Sequence, residues 1–195
     1  MQCKAAEDGD SGVTRREPIM RKLVLLGLVV LAFSVATVAS DDDVTILTAS
    51  LRGVNEVPAI NSNGSALFKA NIQENGSITF TETFKNLSSN AILSHIHFGE
   101  IHVAGGVMIW LCGGGGQPAC PTSTSGTFTG SITPANVTGP TAQGVTAGDL
   151  ASALRAIHQG AGYVNLHTVN FPAGEIRGQV IVHGGDDEQD DQDNR

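Results

Sequence analysis

The chain has 195 residues, 41% hydrophobic, 15% charged and 5% aromatic, with 24 glycines, a composition that fits one domain of ordinary size and excludes collagen and coiled coil. Eleven Lys and Arg against 19 Asp and Glu leave a formal net charge of −8, so the basic footprint of a nucleic-acid binder is missing. The acid is concentrated at the ends: residues 186–195 carry six acids and one Arg and Asp41 to Asp43 add three, while 44–185 holds five bases against six acids.

In chain order, residues 1–19 read as a polar upstream extension that contains Cys3. Met20-Arg21-Lys22, the apolar run from Leu23 to Phe33 and the small residues up to Ser40 then form the three zones of a secretory signal peptide over 20–40. Cleavage is expected after Ala39 or Ser40. The apolar run is 11 residues long, well short of the roughly 20 that span a bilayer. The expected mature chain is secreted or extracytoplasmic and has no membrane span.

The expected domain covers 41–185. From Thr45 onward, short runs rich in Val, Ile, Thr and Phe alternate with Gly, Asn, Pro and Ser, which predicts an all-β sandwich or barrel. Asn75-Gly76 predicts a tight hairpin, flanked by inward-facing Ala66, Phe68, Ala70 and Ile72 on one side and Ile78, Phe80 and Phe84 on the other. Glu82 breaks that alternation, which predicts a bulge or an edge position where a carboxylate reaches water.

Cys112 and Cys120 bracket a loop with four consecutive glycines. In an exported chain this even pair predicts a disulfide, for which the chain-entropy model gives roughly 2.5 kcal/mol. One short helix is expected near residues 147–158: Thr146 and Asp149 resemble a capping box, Leu150, Leu154 and Ile157 recur at helical spacing, and Gly160 stops it. Arg155 and His158 complement its C-terminal dipole. Residues 186–195 lack any apolar side chain and read as an acidic disordered tail. Four Asn-x-Ser/Thr sequons, at Asn63, Asn75, Asn86 and Asn136, fall in predicted turns or loops.

Three strand-like segments carry polar residues of one parity. Ile92, Ser94, Ile96 and Phe98 form the more apolar face of their segment, so His95 and His97 project together from the other, with Cα atoms about 6.6 Å apart. In the segment 163–168, Val164 and Leu166 are core residues, which sends Tyr163, Asn165 and His167 outward. Ile176 and Val180 likewise send Glu175, Arg177 and Gln179 outward, and the turn 170–174 makes the last two segments a plausible hairpin. If the His95 strand lies alongside, His95, His97, His167 and Glu175 cluster, with Arg177 at the rim. The residues then support either a copper or zinc site, with Glu175 orienting a ring, or a His/Glu/Arg network that satisfies itself and holds strand register. Ligands of one ion should lie about 3–4 Å apart. His102, in a predicted loop, is a candidate fourth ligand. His183 and His158 read as surface residues, and Met108 and Trp110 as partly buried packing residues.

Four ordered motifs, Asn55-Glu56-Val57-Pro58, Ser94-His95-Ile96-His97, Tyr163-Val164-Asn165-Leu166-His167-Thr168 and Gly174-Glu175-Ile176-Arg177-Gly178-Gln179, resemble the CHRD domain, first described as a repeated module of chordin. The resemblance runs from about Leu47 to Val182. It implies a Greek-key or immunoglobulin-like β-sandwich and export, and its recurring polar positions map onto His95, His97, His167, Glu175 and Arg177. Chordin is an extracellular antagonist of growth factors, whereas single-domain members of this size mostly have no assigned role. The resulting expectation is a secreted, non-enzymatic binding or envelope-associated module. Its partner would be an extracellular protein or envelope component, and its polar cluster would hold one copper or zinc ion. Two alternatives stay open: a copper-dependent redox enzyme with a superoxide-dismutase-like His-x-His site, and a purely structural matrix protein.

Overall fold

In a computed structural model the chain is described over residues 44–184; the expected extension, signal peptide and acidic tail lie outside the described residues. The elements are β1 (Thr45–Arg52), β2 (Ser65–Ile72), β3 (Ile78–Lys85), β4 (Ala91–Phe98), β5 (Gly106–Cys112), β6 (Gly126–Ile132), α1 (Leu150–His158), β7 (Gly162–Thr168), β8 (Ile176–Gln179) and β9 (Ile181–His183). The fold is all-β with one short helix, as expected. The strands are hydrogen-bonded in the order β5-β4-β7-β8-β1-β2-β3-β6, and β9 continues β8 along β1. Every pairing is antiparallel. Both halves of this nearly barrel-like sheet contribute to one core.

Strict alternation builds the β1–β2–β3 half. Leu47, Ala49 and Leu51 of β1, Ala66, Phe68 and Ala70 of β2, and Ile78, Phe80 and Phe84 of β3 are buried, while their neighbours in sequence face outward. Burying a Phe or Leu is worth about 1.5–3 kcal/mol, so this period-2 pattern sets the register; a one-residue slip would expose the whole set. Glu82 does not bulge and is not at an edge. Its register is unbroken against Phe68 on one side and Phe128 on the other, and its side chain is fully buried, with Oε2 accepting from Ser94 Oγ at 2.7 Å. The alternation continues through it because a polar partner waits across the core.

The β2–β3 connection is a five-residue turn, longer than the expected Asn-Gly hairpin. Gly76 N donates to Gln73 O at 2.8 Å, and only Gly76 takes positive φ. Helix α1 starts three residues later than a Thr146 cap would place it, because Asp149 is the N-cap and accepts from Ser152 N at 2.9 Å. Asn136 is buried, unlike the other three sequon asparagines. Its side chain accepts from Thr133 and donates to Gly115 O. Cys112 and Cys120 form the disulfide. Among the described residues no helix is long and apolar enough to cross a membrane.

Candidate functional site

Strand β7 lies between β4 and β8 and is buried along its whole length. Val164 and Leu166 join the core from one face, together with Ser94 and Ile96 of β4. The other face carries His95 and His97 on β4 and Tyr163, Asn165 and His167 on β7, paired as His95 with Asn165 and His97 with Tyr163. Strand parity therefore places the three histidines together, as expected. Ring centroids are 4.6 Å apart for His95 and His97, 4.5 Å for His95 and His167, and 6.3 Å for His97 and His167. One ring nitrogen from each lies within 4.8 Å of the other two, somewhat wider than the about 3–4 Å of ligands drawn onto one ion.

The cluster does not stand open above the sheet, where the sequence placed it. His95, His97 and His167 are 3%, 9% and 6% exposed. Trp110 of β5 pairs with His95, and its ring meets the imidazole edge-on at 4.9 Å. The loop after β4 and the turn after β7 supply a carbonyl each: His97 Nδ1 donates to Gly105 O at 2.8 Å and His167 Nδ1 donates to Pro172 O at 3.0 Å. A carbonyl oxygen only accepts, so each Nδ1 carries the proton and each Nε2 keeps its lone pair. His97 Nε2, His167 Nε2 and His95 Nδ1 are buried with no hydrogen-bond partner.

Electrostatics keep these rings neutral. Burial, then the neighbouring His167 and His97, push His95 down to about 2. Burial takes His97 down to about 4 against the opposing bond to Gly105, and burial also lowers His167. Neutral imidazoles with free lone pairs are the protonation state that ligates a metal without displacing a proton, and this set can hold one ion.

A second arrangement braces the cluster. Tyr163 stacks on His97, and the Arg177 guanidinium carbon lies 3.4 Å from the centroid of the same phenol ring. Because β4 and β8 flank β7, Tyr163 stands between imidazole and guanidinium. Its hydroxyl accepts from Gly105 N at 3.1 Å, on the residue whose carbonyl orients His97. Glu56, which follows the short turn Gly53–Asn55, reaches Asn165 at 3.5 Å; burial raises its carboxyl to about 7 against the pull of Arg177. Gly174 is needed where these meet: a Cβ there would fall 2.7 Å from Asn165 Oδ1 and 2.8 Å from Glu56 Oε1, at a φ of +128°.

Glu175 does not orient a histidine. Its Oε1 accepts from Ser62 Oγ at 2.6 Å and Ser88 N at 2.8 Å, and its Oε2 from Ser88 Oγ at 2.7 Å and Thr168 Oγ1 at 2.6 Å. Strand parity fails because Glu175 precedes β8 by one residue, so its side chain turns to the Thr168 side and ties three connections together. Arg177 does reach the histidine face, but Tyr163 separates it from the rings, and it donates to Glu100 O at 2.8 Å. His102 lines a pocket with Arg177 and is not in the histidine group.

Sequence reading missed Trp110 as a wall of the site. Only the β4–β5 register, which shifts between Ser94 and His95 and again between Ile96 and His97, sets it against His95; bulges of this kind re-aim side chains. The disulfide loop holds it there. Cβ atoms at Gly114 and Gly115 would fall 2.4 Å and 2.3 Å from the indole, so the glycine backbone lies directly on the ring, and Trp110 Nε1 donates to Thr138 Oγ1 at 3.0 Å.

Residues 47–180 match the family model described as the CHRD domain. No curated protein and no solved structure matches the chain.

Proposed function

Because the chain belongs to the CHRD domain family, we propose that it is an exported, non-enzymatic binding module that carries one transition-metal ion on His95, His97 and His167. The observation that supports this most directly is that one ring nitrogen of each histidine lies within 4.8 Å of the other two, in a group where His95 Nδ1, His97 Nε2 and His167 Nε2 are buried without a hydrogen-bond partner. A buried polar atom left unpaired costs about 1–3 kcal/mol. A self-satisfying His/Glu/Arg network would leave none of them free, and its supposed carboxylate, Glu175, is engaged elsewhere.

An all-imidazole donor set suits copper or zinc. The Gly105 and Pro172 carbonyls would hold two of the rings in ligating orientation, as outer partners of metal-bound histidines do. Burial under Trp110 and two loops favours retention of an ion over turnover of a substrate. Export is supported by the signal-peptide pattern over 20–40 and by the disulfide, which suits an oxidising compartment.

Elemental analysis of the purified mature chain, before and after titration with Cu(II) and Zn(II), tests the reading. About one equivalent per chain is expected, lost in a folded His95→Ala/His97→Ala variant. A wild-type protein that takes up no stoichiometric metal overturns it.

A further inference from the structure

On the far side of Tyr163 from the histidines lies a pocket of about 200 Å³, lined by Asn55, Ile101, His102, Arg177 and Gln179. Arg177 is 97% buried by residue, being 3% exposed, yet its hydrogen bond goes to a neutral acceptor, the Glu100 carbonyl. The buried Glu56 carboxyl acts on Arg177 electrostatically, but the side-chain hydrogen bond that it accepts comes from Asn165. Among the described residues the remaining guanidinium N–H groups have no protein acceptor, and none of them is a sealed, unpaired atom. They therefore reach solvent through the pocket.

A guanidinium held over an aromatic ring, its central carbon 3.4 Å from the ring centroid, with N–H groups not used by the protein, can pair with the two oxygens of a carboxylate. The carboxyl that acts on this largely buried cation, Glu56, is itself pushed up by burial to about 7 and so is only partly ionised, and an anion in the pocket would complete the charge balance. The rest of the lining narrows the class. Ile101 presents an apolar wall that is 63% exposed. His102, in the turn after Ile101, sits at the rim with a φ of +63°. Gln179 is anchored to Gly99 O and Gly160 O, and Asn55 to Arg177 O, so the walls are preformed. The volume is below the roughly 300 Å³ at which drug-sized sites begin.

We propose that this pocket binds a small aliphatic carboxylate, with its headgroup on Arg177 and its hydrocarbon part against Ile101. The site needs no metal and stands or falls separately from the histidine cluster.

The test is a ¹⁵N NMR titration of the mature chain with sodium isobutyrate, with sodium chloride and sodium phosphate at matched ionic strength as the other arms. Saturable shifts of the Arg177 Nε–H and of the Ile101 and His102 amides are expected with isobutyrate, at least tenfold weaker in Ile101→Glu and lost in a folded Arg177→Lys. Ile101 is exposed, so Ile101→Glu keeps the test intact if Arg177→Lys does not fold. No saturable shift, equal affinity in Ile101→Glu, or an equal response to chloride or phosphate overturns the proposal.

Discussion

Tyr163 and His97 lie face to face, with ring centroids 4.7 Å apart and planes within 1° of parallel. They are direct partners across β4 and β7. The hydroxyl of Tyr163 and the Nδ1 of His97 both bond to Gly105, one to its amide and one to its carbonyl. The phenol therefore holds the imidazole twice, through its ring face and through a shared backbone unit.

Tyr163→Phe keeps the stack and removes the hydroxyl. The expected result is a loss of about 1 kcal/mol in stability, the net worth of one hydrogen bond, and a drop of roughly tenfold in metal affinity, as for other partners that orient a ligand. Urea unfolding and competition with a chelator measure the two. Unchanged metal affinity would mean that the carbonyl orients His97 unaided.

Trp110 is the sole tryptophan of the chain, and its ring lies 4.9 Å from that of His95. Cu(II) should quench intrinsic fluorescence at one equivalent, and Zn(II), which has no redox chemistry, should not. Gly115→Ala forces a Cβ into the indole at a φ of +56°. It should red-shift the emission and cost about 1–3 kcal/mol, the usual penalty of overpacking.

Glu175 serves the fold and not the histidines. Burial pushes its carboxyl up, but bonds from Ser62, Thr168 and Ser88 outweigh this and leave it below the usual range. Glu175→Gln puts an N–H where an acceptor is required, and a loss of about 2–3 kcal/mol is expected from the broken charge-assisted bonds. Metal stoichiometry should stay the same. Loss of metal in a folded Glu175→Gln would restore the carboxylate to the site.

Glu82 makes stability fall on the alkaline side. Burial raises its carboxyl from 4.5 to about 8 against the opposing Ser94 bond. The folded state thus holds a proton that the unfolded state has released, so the stabilisation is full below about 4.5 and is lost as pH rises through about 8. One proton corresponds to about 1.4 kcal/mol per pH unit. Denaturant midpoints should decline more steeply between pH 7 and 8 in the wild type than in Glu82→Gln, whose amide can still accept from Ser94 and in which Glu56, raised to about 7, still titrates. Equal slopes in both proteins would show that Glu82 is ionised in the fold.

Period-2 alternation carried the strands of the β1–β3 half, the parity of β4 and β7 and therefore the shared face of His95, His97 and His167. Parity stopped being informative where strands ended. Glu175 sits one residue before β8 and turns to the opposite side, and Glu82 keeps its inward parity only because Ser94, from the distant β4, supplies a hydroxyl. The thickness of the cover over the histidines was not legible either. It comes from connections whose paths no local pattern dictates.

Local sequence determined the all-β class, the disulfide pair, the helix and which side chains share a face, because backbone geometry enforces these through near neighbours. Tertiary structure decided that Trp110 and two loops seal the histidines, that Arg177 is kept behind Tyr163, and that three ring nitrogens are left without partners. Those facts depend on strand order and register, which bring residues about seventy positions apart, such as His97 and His167, into contact and set the local solvent access that makes an imidazole neutral or charged.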